Sequence, residues 1–94
     1  MKIENVIKTV KIGTQCKMGN TTYEVIGIEP YSEACDTPQY TLKVIDLETI
    51  EERKQSLDRY NKNNPRYQMT LDETLIMDRI EPMWFVARKA TILN

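Results

Sequence analysis

Histidine is absent from the sequence, and other residues that often serve catalysis or metal binding are scarce. The 94 residues include no His, two Cys and three Gly. Without histidine, the commonest general base and the commonest metal ligand are missing. The glycines are too scattered to form a phosphate-binding loop, and no serine lies in a Gly-x-Ser-x-Gly motif. We therefore expect a protein that is not an enzyme and that uses no cofactor.

Metal ligands are also too few for a recognisable site. The two cysteines, Cys16 and Cys35, belong to no Cys-x-x-Cys motif, and two thiolates cannot complete a four-ligand zinc site. Glu29, Glu33 and Asp36 could offer oxygens to a hard cation, but the segment lacks the spaced Asp and Asn residues and the central Gly of a calcium loop. We expect no bound metal, and reduced thiols rather than the alternative, a disulfide.

Long apolar runs and an apolar leader are missing as well. No segment approaches the roughly 18 apolar residues that cross a membrane. The apolar fraction is 40%, with a single Trp and a single Phe, so the chain can bury one modest core. We expect one cytoplasmic domain, residues 1–94, without a membrane part, whose stability is marginal or helped by self-association.

The clearest structural pattern covers residues 9–28. Apolar and polar residues alternate over residues 10–18, the period of a strand with one buried face. Gly19-Asn20 interrupts the alternation, and residues 21–28 are rich in β-branched and aromatic side chains. The pattern predicts a β-hairpin closed by a turn in which both Gly19 and Asn20 can take positive φ. Gly13 indicates a bulge or a close backbone approach in the first strand.

Two further strands are predicted. Residues 39–47 alternate and complete an antiparallel meander. Residues 83–93 begin with Met-Trp-Phe-Val, which predicts a final strand buried on both sides and lying beside the first strand. Residues 1–8 are ambiguous, because the apolar residues have helical spacing (Ile3, Val6, Ile7 and Val10) whereas the Val, Ile and Thr composition favours a strand. We expect an irregular lead-in that joins the first strand near Thr9. Because successive strand residues face opposite ways, Trp84 and Phe85 cannot both enter one core face, and one of them needs a helix or a partner subunit as cover.

Helical segments lie between these strands. Thr49 and Glu52 have the spacing of a capping box, which predicts a surface helix over residues 49–61 with only a thin apolar stripe. Residues 66–69 look extended and could pair with the sheet. Residues 70–80 allow two interpretations, a short amphipathic helix begun by a second capping box or a strand.

The predicted fold is α+β, a small antiparallel β-sheet or a partly open SH3-like barrel with one or two short helices. The segment KIGTQCKMGNTTYEVIGI resembles the opening hairpin of SH3-like and KOW-like barrels, which implies that the helix at 49–61 is an insertion between barrel strands. Compact domains without histidine or catalytic motifs are also similar to accessory proteins of bacteriophages, which implies binding and inhibition of a host protein.

Protein binding is the leading functional hypothesis. A non-catalytic accessory module would dock on another protein or on its own copy as a homo-oligomer, through exposed aromatic residues and an acidic loop. The candidate protein-binding residues are Tyr31, Glu33, Trp84 and Phe85.

Nucleic-acid binding is the alternative. Basic residues interleaved with tyrosines over residues 53–66 would contact phosphates and stack on bases. The net charge of −1, from 13 basic and 14 acidic residues, favours instead a solvated helix face. The candidate nucleic-acid-binding residues are Arg53, Lys54, Arg59, Tyr60, Lys62 and Arg66.

Overall fold

The computed structural model describes residues 2–29 and 37–94. Helices and strands are mixed along this part of the chain. In chain order the elements are α1 Ile3–Thr9, β1 Gln15–Met18, β2 Thr21–Glu29, β3 Gln39–Val44, α2 Leu47–Asn63, α3 Leu71–Leu75, β4 Ile76–Ile80, α4 Pro82–Ala87 and β5 Thr91–Ile92.

The strands form one open sheet. Its order is β4-β3-β2-β1-β5, and every neighbouring pair is antiparallel. The predicted α+β class is confirmed, as are the β1-β2-β3 meander and the position of the last strand beside the first. Strands β4 and β5 are the two edges, so the sheet does not close into a barrel.

The hairpin forms as predicted, but its first strand is shorter. Met18 pairs with Thr21 across the turn, where Gly19 has φ +62° and Asn20 keeps an ordinary negative φ. Strand β1 does not begin near residue 9, because the chain first makes a turn in which Gly13 has φ +93°. That turn also places Ile12 outside the core, with 69% of its surface exposed.

The lead-in is a helix rather than an irregular segment. Residues 3–9 form α1, which buries Val6, and Val10 immediately after it is buried as well. The β-branched composition favoured an extended chain, but the helical spacing of the apolar residues prevails, and Val6 and the C-cap residue Val10 both join the core cluster.

Helix α2 begins two residues earlier and ends two residues later than predicted, since it spans Leu47–Asn63 instead of residues 49–61. Its N-cap is Asp46 rather than Thr49, because the Asp46 carboxylate accepts a hydrogen bond of 3.0 Å from the Thr49 backbone N–H.

The segment of residues 70–80 contains both of the predicted alternatives. Its first part is helix α3, begun by the predicted capping box of Thr70 and Glu73, and its second part is strand β4. Residues 66–69 form no strand.

The largest correction concerns residues 83–93. Most of this segment is helix α4, with Pro82 in its first turn, and only Thr91–Ile92 is strand. Proline is pre-organised for the first helical position, and this signal outweighed the β-like Met-Trp-Phe-Val composition. The Trp84-Phe85 pair is thus divided between the two sides of a helix, not between the two faces of a strand.

The core lies on one face of the sheet. Helices α1 and α4 contact each other, and their buried residues Val6 and Phe85 join side chains from β1 to β4 in a single apolar cluster. Polar residues such as Glu24, Thr41 and Lys43 alternate with the core residues along β2 and β3. Within the described residues, no helix combines the length and the apolar character that crossing a membrane requires.

Candidate protein-binding surface

Helix α4 has one buried side and one exposed side. Pro82 and Phe85 are buried in the core, which fixes the helix on the sheet. The exposed side, hereafter the α4 surface, consists of Met83, Trp84, Ala87 and Arg88. These residues form two pairs four positions apart, and such residues are neighbours on a helix surface. Met83 is 62% exposed and Trp84 is 43% exposed, so large apolar side chains are presented to solvent.

Arg88 stacks on the tryptophan. Its guanidinium carbon lies 4.4 Å from the centroid of the Trp84 ring, and its backbone N–H donates a 2.9 Å hydrogen bond to the Trp84 carbonyl at the end of the helix. A cation over an indole face gains about 0.5–1 kcal/mol at an exposed site. The stack therefore holds the indole and the guanidinium in a defined relative position.

Two depressions lie on either side of this stack. One is a cleft of about 220 Å³ lined by Met18, Gly19, Tyr23, Met77, Trp84 and Arg88. The other is a shallower depression of about 520 Å³ lined by Glu81, Met83, Trp84, Ala87 and Arg88. Trp84 and Arg88 line both. Methionine side chains are flexible and polarizable, so these walls can adapt to different apolar groups.

The predicted protein-binding residues are separated by the fold. Trp84 lies at the centre of the α4 surface, whereas Phe85 is 0% exposed and packs in the core. Phe85 can therefore support the surface from below but cannot touch a partner. Tyr31 and Glu33 lie outside the described residues, as do Cys35 and Asp36.

The basic candidates lie elsewhere, on helix α2 and the segment that follows it. Helix α2 has no buried residue, and the chain returns along it through residues 64–75. We call α2 and this return segment the arm. Asn61 ties the arm together, since its side chain donates to the Met69 carbonyl at 3.0 Å and accepts from the Met69 N–H at 2.9 Å. Arg53 donates to the carbonyl of Thr74 on α3.

The arm does not bring all six basic-segment residues to one surface. The guanidinium of Arg53 faces the return segment, whereas Lys54, Arg59, Lys62 and Arg66 are exposed together with Tyr60. Tyr67, which neighbours Arg66, is 73% exposed. Among the described residues, the one ion pair within 4 Å joins Lys43 to Asp72 at 3.7 Å, so no carboxylate neutralises the arm's cations at close range.

The Cys16 thiol and the Tyr40 hydroxyl group lie in the interior. Cys16 is 0% exposed, and burial raises the pKa of its thiol to about 11, which keeps it neutral at physiological pH. Burial also raises the pKa of Tyr40. In residues 2–29 and 37–94, no cluster of three or more His, Cys, Asp or Glu side chains is arranged to hold a metal ion.

Several residues of the α4 surface and of the adjacent cleft were missed in the sequence. Met18 and Met77 come from β1 and β4, so their meeting beside Trp84 depends on the tertiary fold. Met83 and Arg88 could have been predicted from the sequence. Pro82 marks the start of a helix, and a helix places Arg88 one turn after Trp84.

Comparison with known proteins adds no relative. No protein-family model matches the chain, and neither the curated proteins nor the solved structures searched include a significant match.

Proposed function

We propose that the chain is a non-catalytic protein-binding module that docks on its partner through the α4 surface. One observation carries this proposal: the single tryptophan of the sequence is 43% exposed, on a helix whose opposite side is anchored in the core. Leaving an indole in water forgoes a large gain from apolar burial. A partner that covers Trp84 would recover it.

The composition of the surface supports a protein partner. Aromatic residues, Met and Arg are enriched in protein interfaces relative to the rest of a protein surface, and Trp and Arg are among the residues that most often carry the binding energy. The α4 surface presents Met83, Trp84 and Arg88 within about one helical turn. The depressions beside the Trp84–Arg88 stack can receive side chains from a partner.

A module of this kind acts by occupying its partner. With no reactive group on the α4 surface, its effect would come from covering a surface that the partner needs, as a phage-type inhibitor of a host protein does. We propose that it acts in the cytoplasm, where the thiol of Cys16 stays reduced. The partner is another protein or a second copy of this chain.

The test is a capture experiment with matched variants. Immobilised wild-type protein is compared with Trp84→Ala, Met83→Ser and the arm variant Arg59→Glu/Lys62→Glu in a lysate of the cells that naturally express the chain. We expect one protein that the wild type and the arm variant retain, and that Trp84→Ala and Met83→Ser lose. The proposal would be overturned if the Arg59→Glu/Lys62→Glu variant lost the captured protein while Trp84→Ala retained it.

Nucleic-acid binding by the arm is the second candidate function. It is supported by the exposure of Arg59, Lys62 and Arg66 beside Tyr60 and Tyr67, and by the absence, within the described residues, of ion pairs that would neutralise them. Glu48, Glu51 and Glu52 near the start of the same helix weaken this candidate, because they reduce the positive field.

Light scattering distinguishes the second candidate. The solution mass is measured at two salt concentrations, with and without a short mixed-sequence oligonucleotide. A nucleic-acid-binding arm predicts a mass increase with the oligonucleotide at low salt that disappears at high salt and in the Arg59→Glu/Lys62→Glu variant. A mass that ignores the oligonucleotide at both salt concentrations rejects this candidate.

A further inference from the structure

We propose that the cleft beside the Trp84–Arg88 stack binds a peptide segment that carries a large apolar side chain next to a carboxylate. The inference rests on the proposed protein-binding function and specifies the chemistry of the partner. It assigns separate tasks to the two sides of the cleft, an apolar wall and a fixed cation.

The apolar wall comes from three strands. Met18 and Tyr23 belong to β1 and β2, and Met77 belongs to β4. Met18 and Tyr23 are nearly fully buried and Met77 packs against the core, so the wall is supported from behind. A cleft of about 220 Å³ has room for one large apolar side chain. Gly19, which also lines the cleft, carries no side chain that would fill it.

The cation is Arg88. Its guanidinium lies 4.4 Å from the Trp84 centroid, and within the described residues it has no carboxylate partner. A guanidinium stacked on a ring keeps its N–H edges available in the plane, and this planar fork matches a carboxylate. Because the stack already orders the Arg88 side chain, less side-chain entropy is lost when a ligand binds.

The surrounding charges favour an anionic group at this position. Lys89 follows Arg88 and is exposed, and among the described residues Arg88 is the one charged residue that lines the cleft. Glu81 lines the other depression instead. An apolar side chain seated on the methionines would therefore place a neighbouring carboxylate beside Arg88.

The experiment uses Trp84 as its own probe. Because Trp84 is the single tryptophan in the chain, its fluorescence reports directly on the cleft. The full chain is titrated with three peptides acetylated at the N-terminus and amidated at the C-terminus: Ser-Asp-Leu-Asp-Ser, the uncharged Ser-Asn-Leu-Asn-Ser, and Ser-Asp-Ala-Asp-Ser. Because Arg88 is exposed and exposed ion pairs contribute modestly, we expect the uncharged peptide to bind about twofold to fivefold more weakly.

Two of the results would overturn the proposal. The expected result is a saturable change in Trp84 emission with the acidic leucine peptide, and a weaker one with each of the other peptides. If the acidic and uncharged peptides bind equally well, the carboxylate has no part in recognition and the proposal is overturned. No saturable change up to millimolar concentration with any peptide rejects the cleft as a peptide site.

Matched variants separate a specific site from general charge. Arg88→Gln removes the fork, Arg88→Lys keeps the charge without the fork, and Arg66→Gln removes an exposed arginine on the arm. We expect the preference for the acidic peptide to disappear in Arg88→Gln, to weaken in Arg88→Lys and to persist in Arg66→Gln. Equal loss in Arg88→Gln and Arg66→Gln would contradict the inference, since it would indicate a non-specific charge effect.

The two proposals can fail separately. If the peptides do not bind but protein capture still depends on Trp84 and Met83, the docking function stands and the acidic partner chemistry is rejected. If capture also ignores these residues, both proposals are rejected.

Discussion

The rings of Tyr40 and Phe85 meet edge to face in the core, with centroids 5.4 Å apart and an angle of 81° between the planes. This contact fastens α4 to β3, the strand between β2 and β4. Edge-to-face pairs contribute about 0.5–1.5 kcal/mol beyond the burial of their area. Phe85 thus holds the helix in place, while the preceding residue, Trp84, remains partly exposed to solvent.

The first prediction compares these two aromatic residues. Phe85→Ala removes a ring that is 0% exposed and should lower the free energy of unfolding by about 3–5 kcal/mol. Trp84→Ala removes a half-exposed ring and should cost less than half as much. Urea unfolding followed by far-UV circular dichroism measures both. Similar losses for the two variants would contradict the assignment of Phe85 to the core and Trp84 to the surface.

The second prediction concerns Asp46, which joins two elements. Its carboxylate accepts hydrogen bonds from the backbone N–H of Thr22 at 2.8 Å and of Thr49 at 3.0 Å. Partial burial raises the pKa of Asp46, but these hydrogen bonds and one from the Thr49 side chain outweigh it and hold the pKa below its usual value. Asp46→Ala should cost about 1–2 kcal/mol at neutral pH, as the loss of a helix N-cap does.

The pH dependence of this effect has a defined sign. A carboxyl group whose pKa is lower in the folded protein stabilises the fold above the unfolded pKa, about 3.9 for Asp, and loses this effect as the pH falls through the folded pKa. The stability difference between wild type and Asp46→Ala should therefore shrink in acid. Urea titrations between pH 7 and pH 2–3 test this. A difference that stays constant down to the lowest pH would contradict it.

The third prediction concerns the thiol of Cys16. Because burial raises its pKa to about 11, the reactive thiolate is nearly absent at neutral pH. In a Cys35→Ser variant, iodoacetamide should alkylate Cys16 very slowly in the native protein and rapidly in urea. Mass spectrometry over time measures both rates. Equal rates in the two conditions would show that Cys16 is not protected by the fold.

The fourth prediction concerns the attachment of the arm. Asn61→Ala removes both hydrogen bonds to Met69, while the sheet should be unaffected. Since α2 has no buried residue, we expect its amides to exchange hydrogen faster than those of β2 and β3, and faster still in Asn61→Ala. Asn63→Ala, also on α2 but without a described side-chain hydrogen bond, is the control. Hydrogen exchange by mass spectrometry resolves these segments, and slow exchange throughout α2 in Asn61→Ala would contradict the prediction.

The sequence predicted the elements whose signals are local. The hairpin at Gly19 and the capping box at Thr70 depend on neighbours in the chain, and both are present. The strand predicted over residues 39–47 is present too, but it ends at Val44, because Asp46 caps the helix that begins at Leu47. The start of α2 was placed too late because Thr49 also has capping-box form. In the structure Asp46 has the additional hydrogen bond from Thr22, a residue of a distant strand.

The candidate surface was predicted only in part. Trp84 was predicted to be a binding residue because adjacent residues of a strand face opposite ways, so that Trp84 and Phe85 could not both enter one core face. In the structure Trp84 is exposed. The reason given was wrong, since residues 82–87 are a helix. The cleft depends on β1 and β4 lying on either side of β2 and β3, and this arrangement brings Met18 and Met77 to Trp84 without any sequence signal.

The most direct test of the central claim is hydroxyl-radical footprinting of the chain in complex with the protein that it captures. Met, Trp and Tyr are readily oxidised, and the α4 surface and the arm each carry such residues. We predict that Met83 and Trp84 become protected in the complex while Tyr60, Tyr67 and Met69 keep the reactivity of the free protein. Protection of the arm residues with unchanged oxidation of Met83 and Trp84 would contradict docking through the α4 surface.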